Sequence, residues 1–152
     1  MRKAVLAILV FAAACDGAHT VDVVGQPQWV KNAVDFSILF WWNHEEEFVV
    51  QPGGMPVRVA DISDIKAWGL EGPMGIQLDP LLADLDQSME PEWADTARGC
   101  VVAHELGHSL GMNHVAQKPY CSLMAPKLSI DYAGTCCWSE FDQAEFSKTT
   151  GK

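Results

Sequence analysis

The stretch from His104 to His114 reads His-Glu-Leu-Gly-His-Ser-Leu-Gly-Met-Asn-His, and it constrains the chain more than any other feature. A spacing of four puts His104 and His108 on one face of a helix, a turn apart. Two imidazoles so placed reach a single tetrahedral ion at about 2.0–2.1 Å. Gly111 can take a positive φ, which ends the helix and turns the chain so that His114 approaches from a new direction. Three neutral imidazoles leave a fourth position open, the arrangement of a catalytic rather than a structural zinc. Glu105 lies one step round the helix from His104. There it can hold a water beside the ion without being a ligand, which makes it the candidate general base. His-Glu-x-x-His alone recurs by chance; Gly111 and His114 make the pattern specific.

At 152 residues, 49% of them apolar and 20% charged, the chain fits one domain with a packed core. A net charge of −10 argues against nucleic acid or an anionic membrane surface as partner. Arg2 and Lys3 precede an apolar run, Ala4 to Ala14, too short to cross a bilayer as a helix. Residues 1–15 therefore read as an export signal. Its end, Ala12-Ala13-Ala14-Cys15, suits an ordinary signal peptidase and also resembles a bacterial lipoprotein signal, in which Cys15 carries the lipid. Ala12 stands where such signals usually have a larger aliphatic residue. The expected location is extracytoplasmic, either on the cell envelope through that anchor or secreted. With Cys15 lipidated, Cys100, Cys121, Cys136 and Cys137 can form two disulfides. Cys136 and Cys137 are adjacent and are expected to take different partners, Cys100 and Cys121 in either order. The chain has no CxxC pair, so a cysteine-ligated zinc is not expected.

Residues 20–150 read as one α+β domain without repeats. Thr20–Val24, Glu47–Val50, Val57–Ile62 and Ile76–Leu78 have strand patterns, the second closed by Pro52-Gly53-Gly54. From Gln28 to about Asn43 apolar residues recur at Trp29, Ala33, Phe36 or Ser37, Phe40 and Trp41, near the helical period, with Pro27 in the first turn. An acidic loop runs from Asp84 to Glu92. Pro91 then starts a helix that carries the histidines and is stopped by Gly111. A last helix takes Ser139 as N-cap with Asp142 three residues on, and Phe141 and Phe146 as its apolar face. The six Trp, with Phe40-Trp41-Trp42 among them, are expected mainly in the core.

The pattern His-Glu-x-x-His-x-x-Gly-x-x-His resembles the signature of the metzincin metalloproteases, in which a methionine turn follows downstream. Met124, within Cys121-Ser122-Leu123-Met124-Ala125-Pro126, looks like that turn, and Met-Ala-Pro is similar to the matrixins. The resemblance implies a zincin-like fold, a small twisted mixed sheet with an active-site helix and a C-terminal helix. It implies peptide-bond hydrolysis of protein or peptide substrates by a monomeric enzyme, with Met124 as a hydrophobic floor beneath the metal. Metzincins that place a tyrosine ligand after the methionine are not matched, since position 126 is Pro. The segment before Ile76 is short for the family, so one strand is expected to be missing or brief, around Ile65–Trp68. His19 and His44 lack the spacing of the second zinc that matrixins often carry, so one zinc is expected. A structural calcium near Asp79, Asp84 and Asp86 is weighed against a plain solvated loop, and the loop is favoured. No propeptide is expected, because few residues separate the signal from the domain. Neither Tyr120 nor Tyr132 can be assigned as a second catalytic acid. The loop from Pro126 to Cys137 is expected to shape the side-chain pocket. Two other readings stay open: a zinc-binding interaction or adhesion module that cleaves nothing, and a hydrolase of non-peptide substrates.

Overall fold

The computed structural model describes residues 18–115, 121–126 and 135–152. The segment read as a signal, with Cys15, lies outside them, as do Tyr120, Tyr132 and most of the loop between Pro126 and Cys137. Alternation builds the sheet. β1 (His19–Asp22) turns Val21 inward, β2 (Phe48–Val50) turns Phe48 inward and β3 (Met55–Val59) turns Val57 inward. β4 (Gly69–Gly72) and β5 (Gly75–Leu78) form a hairpin through Pro73 and Met74. The strand order is β2-β1-β3-β5-β4. β1 runs parallel to β2 and β3, β3 runs parallel to β5, and only β4 is antiparallel.

Three helices complete an α+β architecture. α1 (Gln28–Trp42) is the crossover that a parallel β1–β2 pair requires. α2 (Pro91–Ser109) packs along α1, and α3 (Glu140–Thr150) closes the domain. Trp41 sits at their junction with none of its surface exposed. Its indole Nε1 donates to the Ala103 carbonyl at 3.1 Å, one residue before His104. Phe48, Trp138 and Phe146 pack round its rings.

Several sequence expectations shift when the chain is folded. Pro27 stands at the N-cap of α1, not in its first turn, and the buried face is Val30, Ala33, Val34, Ser37 and Trp41. Ser37 is tolerated there because its hydroxyl donates to the Val34 carbonyl at 2.7 Å. β1 ends at Asp22, whose carboxylate accepts from the backbone N–H groups of Val24 and Gly53. The strand expected to be missing or brief around Ile65–Trp68 is present just after it, at Gly69–Gly72; before it, Ser63–Ile65 coils into a 3-10 turn that leaves Lys66 left-handed at φ 54°. The acidic stretch is not an open loop at its start, because Pro80–Gln87 forms a 3-10 helix with Asp79 capping Leu81. Arg98, buried in α2, grips that helix through the Leu82 and Ala83 carbonyls and pairs with Asp86 and Asp95. Trp42 is 63% and Trp68 47% exposed, contrary to a core role: Trp42 is one step round α1 from Trp41 and faces outward. Phe141 is likewise exposed, while Phe146 is buried. No helix among the described residues is long and apolar enough to cross a membrane.

The contrast between neighbouring tryptophans is testable. Trp41→Ala is expected to cost about 3–5 kcal/mol of unfolding free energy, and Trp42→Ala less than about 0.5 kcal/mol. Urea unfolding of the two variants measures both, and equal losses would contradict the packing described.

Candidate metal centre

α2 carries His104 and His108, and the chain reverses directly after it. Gly111, at φ 92°, provides the left-handed residue that a side chain would resist. Its N–H and that of Met112 bond back to the His108 and Gly107 carbonyls at 2.8 and 3.0 Å. The returning segment is then pinned from two sides. Asn113 donates from backbone and side chain to Glu145 of α3, and Val115 N–H donates to the Met124 carbonyl at 2.9 Å. His114 is thereby brought opposite the helix.

The three Nε2 atoms meet. They lie 3.1 Å (His104–His108), 3.1 Å (His108–His114) and 3.2 Å (His104–His114) apart. For the two helical histidines, protonation follows from the far side of the ring. His104 Nδ1 lies 2.6 Å from the Leu123 carbonyl, and His108 Nδ1 lies 2.9 Å from the Met112 carbonyl. A carbonyl only accepts, so both Nδ1 atoms carry the proton and both Nε2 atoms present lone pairs. Two lone pairs facing each other at 3.1 Å repel, and a shared cation turns that repulsion into ligation. A point about 2.0–2.1 Å from all three nitrogens lies roughly 1 Å off their plane, with angles near ~100°, which suits a tetrahedral ion with one position open. Burial pushes His104 down to about 4, against the pull of the Leu123 carbonyl, so the ring is neutral near pH 7. Among the described residues these histidines are the one such group placed to share an ion. Asp79, Asp84 and Asp86 do not converge: Asp79 caps, Asp84 accepts from Gln87 and Asp86 pairs with Arg98. His19 and His44 lie elsewhere, the latter stacked on Trp138 with ring centroids 4.0 Å apart.

Below the histidines, Met124 is fully buried. Its sulfur lies against Gly107, between the two helical histidines, where an added Cβ would stand 2.6 Å away. The turn that carries it is organised by one carboxylate. Asp142, with no exposed surface, accepts from the Leu123 and Met124 N–H groups, the Ser122 hydroxyl, and the Ser139 N–H and hydroxyl. The sequence marks Asp142 only as the partner of a capping box, which it also forms. Its second role depends on where α3 packs, and no local pattern announces that. Two disulfides lock the same region. Cys100 pairs with Cys136, and Cys121 pairs with Cys137, joining α2, the Met124 turn and the start of α3. This resolves the order left open by the sequence, and it agrees with an oxidising, extracytoplasmic setting.

Glu105 is 5% exposed and lies on the floor of a cleft of about 840 Å³. One wall is β4 with the segment before it, including Ile65, Trp68 and Leu70; the other includes Asn113, His114 and Pro126. Burial pushes the Glu105 carboxyl up to about 7; the Glu71 backbone N–H opposes that shift, and the Glu71 charge adds to it. This wall was not legible as part of a site, since nothing in Ile65–Glu71 resembles a motif. Comparison with family models, with curated proteins and with solved structures gives no match for the chain.

Replacing Asp142 by Asn keeps the volume but sets an amide among N–H donors. Asp142→Asn is expected to weaken metal affinity about 10–100-fold, measured by competition with a chromogenic chelator. Unchanged affinity would show that the Leu123 carbonyl does not depend on Asp142.

Proposed function

We propose that the chain is a zinc-dependent endopeptidase similar to the matrixin-like metzincins, with His104, His108 and His114 holding one zinc and Glu105 as general base. The observation that carries this reading is the convergence of three Nε2 atoms beside a buried carboxylate, on the floor of a cleft walled by a sheet edge. The order of elements, the reversal at Gly111 and Met124 beneath the histidines support a metzincin-like fold. The paired cysteines support an exported protein, anchored through Cys15 or secreted.

When bound, zinc supplies Lewis acidity, lowering the pKa of a water towards ~7 and polarising a carbonyl. The chain supplies the rest. His104 and His108, protonated at Nδ1, keep their Nε2 lone pairs turned inward. Glu105 accepts the proton of the attacking water and passes it to the leaving amine. Burial strengthens its hold on that proton, while a cation among the imidazoles favours the carboxylate beforehand. Peptide is favoured as substrate by β4. Among the described residues it pairs with β5 alone, so an extended peptide can add along its other side. A surface module that binds zinc and cleaves nothing draws support from exposed Leu39 and Trp42 on α1, but it has no use for Glu105 in the cleft.

The test is cleavage of a peptide library by the zinc-loaded protein. Hydrolysis abolished by a chelator is expected, with Glu105→Gln about 10²–10⁴-fold slower and its zinc content unchanged. Comparable turnover by that variant and the parent would sink the role given to Glu105.

A further inference from the structure

Gly69 opens β4 directly above the glutamate of α2. A Cβ built on it would stand 2.6 Å from Glu105 Oε1 and 2.9 Å from Glu105 Cγ, with Val101 Cγ1 also at 2.9 Å. Real Cβ atoms do not approach oxygen or carbon that closely, so the glutamate occupies the space that any other residue at 69 would fill. The backbone does not demand glycine here. Gly69 is absent from the residues with positive φ, so its backbone is open to residues that bear a side chain. Its register opposite Leu78 is ordinary antiparallel pairing. Two residues on, Glu71 lines the same cleft as Glu105.

We propose that Gly69 is a positioning residue for Glu105: the missing side chain leaves a notch in the edge strand that seats the carboxylate against the β4 backbone, beside the three imidazoles. This rests on the reading of Glu105 as general base. The notch seats the Glu105 side chain against the start of β4, with Val101 of the same helix beside it. It also ties the base to the strand along which substrate is expected to lie, so base and substrate share one reference frame. Displacing a reacting group by about 1 Å costs on the order of 10²-fold in rate, and a methyl at position 69 demands a shift of that size.

The experiment uses the full zinc-loaded protein and its Gly69→Ala variant. Expected are a kcat about 10–100-fold lower with KM and zinc content unchanged, and a displaced Glu105 δ-carbon resonance in protein labelled with [13C]glutamate. In the Glu105→Gln background, Gly69→Ala is expected to cause no further loss, because the two changes act through one group. A Gly69→Ala variant with parental kcat and an unmoved resonance overturns the proposal, as does an equal loss in both backgrounds, which would mark a general disturbance of the fold. If the parent cleaves no peptide, the proteolytic reading fails alone, and the δ-carbon resonance still decides whether the notch seats Glu105.

Discussion

The protons on Nδ1 of His104 and His108 are held by the Leu123 and Met112 carbonyls at 2.6 and 2.9 Å, and the rest of the site depends on where those carbonyls sit. With Nδ1 committed, each ring has a single lone pair left, and the helix aims both at one point. The Met112 carbonyl is placed by the reversal at Gly111, a local matter of backbone conformation. The Leu123 carbonyl is placed from farther away. Asp142 at the start of α3 collects the N–H groups of Leu123 and Met124, and the Cys121–Cys137 bond holds the same turn to the same helix start. A buried carboxylate without exposed surface is costly unless its acceptor sites are filled, and here five donors fill them.

What the sequence made legible divides along the same line. Local periodicity located α1, α2 and α3, because the helical repeat and the Ser139–Asp142 cap are written in adjacent residues. The His104–His108 face, the turn at Gly111 and the approach of His114 were legible for the same reason. A boundary failed where a distant group intervenes: Asp22 ends β1 through Gly53, 31 residues on. Trp42 shows the limit of composition as a guide, since a large apolar residue one step from the buried stripe simply faces solvent. The positioning elements were the least visible. Two are backbone carbonyls, which have no sequence identity, and Gly69 is informative only once Glu105 is seen against it.

The disulfides add a condition of place. Cys100 lies one turn before His104, Cys121 lies three residues before Met124, and their partners are adjacent in the chain just ahead of Ser139. Both bridges therefore cross-link the scaffold of the histidines rather than the sheet. In the proposed account, the site is most rigid where thiols are oxidised, which is the compartment that the leading segment also suggests.

In the proposed site three imidazoles hold one zinc, with no sulfur ligand. X-ray absorption at the zinc edge of the stoichiometrically loaded protein measures this directly. Three imidazole nitrogens at about 2.0–2.1 Å and no sulfur scatterer are expected. Sulfur at about 2.3 Å, or fewer than three imidazoles, would contradict it.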